Sequence, residues 1–327
     1  MVSAGNIVIG DASAFHFLMH CDAALLIAKS VKRCNPLDGC ACGSKALMAF
    51  NPDNPLYGGK PVSLLVPHAG LRRVNSNISC KVSGGSFPPG SFFQLREGLY
   101  ALTPEALFLR AAGHLPLIAL VALGIDLCGR YFLRIPDEKI CDRSAFTTTP
   151  ERIGDYINAA STLHGCKKAR HALQFIVGNS GSPAETKIWV QYCMPLRYGG
   201  FGLPFTHMNY DVSAGRLAGL IEQTDFCIDM VRIDPPLGME YDGRDYHQDA
   251  SKDKRRRNEL KVLGWDVYPI DSSILYNADE TIRSGRQLAK LMGKRLRLDA
   301  CWRERFIELR QAIDLPISWR FLSGRLL

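Results

Sequence analysis

The segment Thr224–His247 reads TDFCIDMVRIDPPLGMEYDGRDYH. Two apolar runs, Phe226–Ile233 and Leu237–Asp242, flank Pro235-Pro236, which is the pattern of a β-hairpin. Three acids interrupt it. Asp229 stands mid-strand among Phe226, Ile228, Met230 and Val231. Glu240 and Asp242 lie two apart on the returning strand and so share a face. The hairpin can bring Asp229 beside them. Acids are depleted in strands, and like charges clustered there repel one another. A cation or a proton would relieve that repulsion. Hard oxygen ligands in this number suit Mg²⁺, which takes one or two carboxylates plus substrate phosphate. The competing explanation is that the acids decorate the solvent face of an edge hairpin.

Working outward, Ser182-Pro183-Ala184-Glu185 opens a helix predicted over Pro183–Cys193. Ser182 is its cap, Pro183 sits at the first turn, and Ser182-x-x-Glu185 is a capping box. A Gly-rich loop, Gly199–Gly202, and a strand near Met208–Val212 precede the hairpin. After it come a basic helix (Ala250–Leu263), a strand (Trp265–Ile270) and helices over Ala278–Leu291 and Asp299–Ile313. Helix, hairpin, helix, strand, helix is an α/β pattern around one mixed sheet.

Lys252–Arg257 places five basic residues around Asp253. Arg256 and Arg257 fall one turn after Asp253 and can pair with it. Lys254 and Arg255 are then left to meet phosphates. Together, Lys254, Arg255, Arg256 and Arg257 form the expected nucleic-acid-binding run. The whole chain carries +8, and the residues after Ala250 hold 17 Lys and Arg against 10 Asp and Glu, so +7 of it lies there. An anionic partner, DNA by default, follows from that asymmetry; a solvated charged face is the alternative.

Upstream of Asn179–Pro183, a loop that marks a domain boundary, the sequence reads as a smaller α+β domain over 1–178, with 179–327 the second domain. Strands are predicted at Val62–Val66, Ile78–Val82 and Leu99–Leu102. Helices are predicted at Ala14–Ser30, from Pro104 to Leu127 with Thr103 as cap, over Pro150–His164 and over Cys166–Val177. No catalytic constellation is legible there, so this half reads as a recognition or scaffold domain.

The series Asp229, Glu240-Tyr241-Asp242-Gly243, Tyr246-His247, Asp253 with Arg256 and Arg257, then Leu263-Gly264-Trp265-Asp266-Val267 resembles the Vsr-like endonuclease domains of the PD-(D/E)XK restriction-endonuclease superfamily. The resemblance covers about residues 180–293. It implies a restriction-endonuclease-like mixed sheet flanked by helices, and metal-assisted hydrolysis of DNA in phage defence or DNA repair. The implied metal ligands are Asp229, Glu240 and Asp242, for Mg²⁺ with Mn²⁺ as a substitute. His247 is the implied proton carrier, and Glu185 an outer ligand. One departure stands out: where the superfamily commonly has Lys, this sequence has Asp242. The N-terminal half, through Pro61–His68 and Leu99–Glu105, faintly resembles AbiEi-type abortive-infection antitoxins. That leaves a second reading, a non-catalytic DNA-binding or antitoxin-like regulator that retains a nuclease fold.

Composition bounds the rest. The longest apolar stretch, Leu115–Ile125, is short of the ~20 residues a membrane span needs. The N-terminus lacks a signal-peptide pattern. Eleven scattered cysteines, an odd number, read as free thiols of a cytoplasmic protein. A homodimer, or a partner protein engaged through the N-terminal domain, is left open.

Overall fold

The computed structural model describes residues 5–40, 50–85, 87–243 and 250–314. The fold is mixed α+β and divides into two compact units, one running up to Ile176 and the other spanning Val177–Ile313. The first unit is the longer, as 1–178 is against 179–327 in the expected division.

In the first unit, β1 (Ile7–Ile9), β2 (Val31–Lys32), β3 (Val62–Val66), β4 (Ile78–Val82), β5 (Phe92–Arg96) and β6 (Leu99–Leu102) form one sheet in the order β2-β5-β6-β1-β3-β4. Central β1 is fully buried and runs parallel to β6 and antiparallel to β3. β7 (Tyr131–Arg134) and β8 (Lys139–Asp142) form a separate hairpin. The helix Leu117–Leu127 is apolar but for Asp126 and is buried all along Ala119–Leu127; Asp126 accepts from the Tyr131 hydroxyl (2.9 Å). Among the described residues no helix is long and apolar enough to cross a membrane, and the described cysteines are free thiols.

Local readings shift here for physical reasons. The expected helix Ala14–Ser30 is two helices, Asp11–His20 and Ala24–Ser30, broken at the extended Cys21. Thr103 does cap Pro104–Ala112, but its hydroxyl donates to the Gly90 carbonyl (3.1 Å) instead of accepting from the helix. β1, β5 and the β7–β8 hairpin add to the expected strands; of these only β1, at three residues, is shorter than every one of the expected β3, β4 and β6.

The second unit holds the sheet of β9 (His207–Ser213), β10 (Asp225–Arg232), β11 (Leu237–Asp242) and β12 (Asp266–Asp271), in the order β12-β11-β10-β9. β9, β10 and β11 are a consecutive antiparallel meander. The helix Ala250–Val262 then carries the chain to β12, which lies parallel to β11 at the sheet edge. Edge placement allows Pro269 inside β12. The basic helix is anchored by Leu260, which packs with Val212, Phe226, Ile228, Val231 and Trp265. Burying each such side chain contributes about 1.5–3 kcal/mol. A second cluster joins Tyr192, Phe201, Trp302 and Phe306, and a Cβ on Gly285 would fall on the Phe201 ring.

Candidate active site

The β10–β11 ladder pairs Arg232 with Leu237, Val231 with Gly238 and Met230 with Met239. One further step puts Asp229 opposite Glu240. There the Tyr241 N–H donates to the Asp229 carboxylate (Oδ2, 2.7 Å) instead of to a β10 carbonyl. On its other side, Asp229 falls between the pairs Ile228–Tyr210 and Met230–Met208, opposite Asn209. Asn209 has a left-handed backbone (φ 46°), a conformation Asn tolerates better than most residues. The sheet is therefore irregular at the one step that carries its central acid.

Asp229, Glu240, Tyr241 and Asp242 line one open cleft of about 230 Å³, with Arg256, Arg257, Val267 and Pro269 completing it. The cleft joins β10, β11, β12 and the basic helix within one unit. Burial pushes the Asp229 carboxyl up to about 8; Glu185 and Glu240 push the same way, against the Tyr241 N–H and the Arg256 guanidinium. Glu240 is also raised, by burial foremost and by Asp242, although Arg256 and Arg257 oppose this. Arg256 Nη2 donates to Glu240 Oε1 (2.5 Å) and to the Cys227 carbonyl (2.9 Å), and its guanidinium lies over the Phe226 ring.

The Asp253 side chain, and with it the expected pairing to Arg256, lies outside the described residues; the bond of Arg256 to Glu240 is an addition to that expectation. Arg255, expected to be unengaged, pairs with Glu222. Lys254 and Arg257 are exposed on the basic helix. His247 lies outside the described residues.

Glu185 makes a variant of the capping box in which its carboxylate reaches the Ser182 hydroxyl and the residue before the cap. Its N–H donates to Ser182 Oγ (3.1 Å), while its carboxylate accepts from the Ser182 hydroxyl (2.9 Å) and the Gly181 N–H (2.7 Å). Asn209 Nδ2 also donates to Glu185 Oε2 (2.5 Å) and to the Asn179 carbonyl (2.8 Å). Glu185 is buried, and these donors explain its position; its charge reaches the cleft by raising Asp229. Sequence reasoning missed Asn209. Its only signal was an Asn inside a strand, where Asn is disfavoured.

Among the described residues no three His, Cys, Asp or Glu side chains converge closely enough to hold a metal ion. The donor chemistry nevertheless fits a hard cation. Asp229 and Glu240 are crowded oxygen donors whose charged forms are disfavoured as they stand, and Mg²⁺ needs only one or two carboxylates. Arg256 is the competitor for Glu240. Comparison of the chain with family models, with curated proteins and with solved structures finds no match.

Proposed function

We propose that the second unit is a metal-dependent DNA endonuclease that hydrolyses phosphodiester bonds, serving phage defence or DNA repair. The observation that carries this reading is the meeting of Asp229 and Glu240 in one open cleft, with Arg257 on its wall. In this reading Asp229 and Glu240 hold Mg²⁺, or Mn²⁺ in its place, and Asp242, which does not converge with them as a third ligand, orients water. A bound ion would neutralise charge developing on the scissile phosphate and make water more acidic. Arg256 holds Glu240 in position, and Arg257 faces the phosphate. His247, five residues beyond Asp242 in sequence, takes or supplies the proton; the ordinary imidazole pKa of about 6.5 suits either task. Glu185 acts through Asp229, by keeping it basic. The element order supports the reading too: helix, antiparallel meander, helix, parallel strand, with the acids on the second and third strands, is what the Vsr-like resemblance implies.

One observation favours the second reading, a non-catalytic DNA-binding or antitoxin-like regulator: Glu240 is already neutralised by Arg256. Plasmid nicking separates the two. The nuclease reading expects supercoiled plasmid to be nicked with Mg²⁺ or Mn²⁺, not with EDTA, and not by Asp229→Asn or Glu240→Gln. Plasmid bound but left intact by the wild type under every ion condition would favour the regulator.

A further inference from the structure

From Arg283 to Arg297 the chain has six Lys and Arg and no Asp or Glu. The structure turns this run into a surface. The helix Ala278–Leu291 buries Ile282, Ser284, Gly285, Leu288 and Ala289, and leaves Arg283, Arg286, Gln287 and Lys290 exposed at helical spacing. Two open clefts adjoin along this face. One is lined by Arg283, Arg286, Lys290, Arg303 and Asp279, the last two paired with each other (2.7 Å), the other by Arg286, Lys290, Lys294 and Arg295. Arg286 and Lys290 line both, so the clefts form one groove.

The six cations are not equivalent. Arg283 pairs with Glu280 one turn earlier (3.1 Å). Lys294 donates to the Gly202 carbonyl and is partly buried, which makes it a structural tie. Arg286, Lys290, Arg295 and Arg297 are exposed, and among the described residues none of them has an ion-pair partner. Cations in the last helical turn complement the helix dipole, which accounts for Lys290 alone. It leaves Arg286, whose helix neighbours Asp279 and Glu280 are paired with Arg303 and Arg283, and Arg295 and Arg297 beyond the helix, without a structural task.

The groove also has a physical link to the acidic cleft. Val267 and Pro269 of edge strand β12 line that cleft, and between them Tyr268 donates its hydroxyl to Gln287 Oε1 (2.6 Å) on the cationic face. Side chains alternate along β12, so the groove and the cleft lie on opposite faces of the sheet at its edge strand.

We propose that the face formed by Arg286, Lys290 and Arg295, continued by Arg297, binds the phosphate backbone of duplex nucleic acid flanking a phosphate held at the Asp229–Glu240 cleft. The proposal rests on the nuclease reading for the second half of that sentence only. Phosphate contacts of this kind supply affinity and salt dependence, not base choice.

The test is fluorescence anisotropy of a labelled duplex across a salt series in EDTA, with the full chain. Three neutralising changes made together, Arg286→Gln, Lys290→Gln and Arg295→Gln, are at exposed positions, and an unchanged melting temperature confirms the fold. The expected result is a log–log salt slope shallower by about 2.7, at about 0.9 per lost contact, with equal weakening on unrelated sequences. Wild-type binding whose slope survives all three changes would overturn the proposal. So would phosphatidylserine vesicles that compete with duplex at equal phosphate and lose binding in the same variant, since the face would then serve a lipid surface. Nicking by Asp229→Asn reads the cleft and anisotropy in EDTA reads the groove, so loss of one leaves the other standing.

Discussion

At the residue scale, the account turns on Asp229. Its carboxyl is held near 8, mainly by burial and then by Glu185 and Glu240, against an unfolded value near 4. An acid raised in this way stabilises the folded chain fully below about pH 4, and that contribution is lost as the pH climbs toward 8. Asp229→Asn keeps an acceptor for the Tyr241 N–H but removes the ionisation. In EDTA, the variant's advantage in unfolding free energy over the wild type should grow from pH 5 to pH 8, by at most about 1.4 kcal/mol per pH unit, and level off above it. A pH-independent difference would show that Asp229 ionises normally. Arg256 supplies the second residue-scale prediction. It lowers both Asp229 and Glu240, so Arg256→Gln should raise both and move the acid limb of the pH–rate profile to higher pH. A limb that stays in place would mean that neither carboxylate governs the rate.

At the scale of elements, much of the second unit is written locally. The helices Pro183–Cys193 and Ala278–Leu291 run over the residues that cap and periodicity indicate, because Ser182 and Pro183 fix one start and an apolar face defines the other. The hairpin arms follow from the turn at Pro235-Pro236, and with them the register that sets Asp229 beside Glu240. What stayed hidden is non-local. Arg256 had a partner in reach at Asp253 on its own helix, and only the folded sheet offers it Glu240. Asn209 gains its place from a left-handed backbone opposite Asp229, which no periodicity encodes. In the first unit, β1 was too short to read at three residues, although it is a central strand of its sheet. Two glycines carry an element-scale prediction. A Cβ on Gly238 would lie 2.8 Å from Ile228 Cγ2 and 3.1 Å from Val267 Cγ2, and one on Gly285 would strike Phe201. Gly238→Ala should cost about 1–3 kcal/mol by overpacking and should also reduce cleavage, because it pushes on strands β10 and β12 beside the cleft. Gly285→Ala should cost as much in denaturant unfolding with less effect on cleavage. Equal effects of the two on activity would argue that the cleft is insensitive to strand spacing.

At the scale of the whole molecule, the positive charge after Ala250 is balanced within its own unit: Val177–Ile313 holds 20 Lys and Arg against 19 Asp and Glu, the acids in excess before Ala250. That unit sets two crowded carboxylates among cations, an arrangement in which an arriving divalent ion must displace a proton from Asp229. Isothermal calorimetry of Mn²⁺ binding, run at pH 7 in two buffers of different ionisation enthalpy, measures that proton directly. With Asp229 near 8, about one proton should leave per ion bound at pH 7 and almost none at pH 9.5, and Asp229→Asn should not bind. Binding without proton release at pH 7, binding unchanged in Asp229→Asn, or no binding by the wild type would contradict the metal site at Asp229 and Glu240.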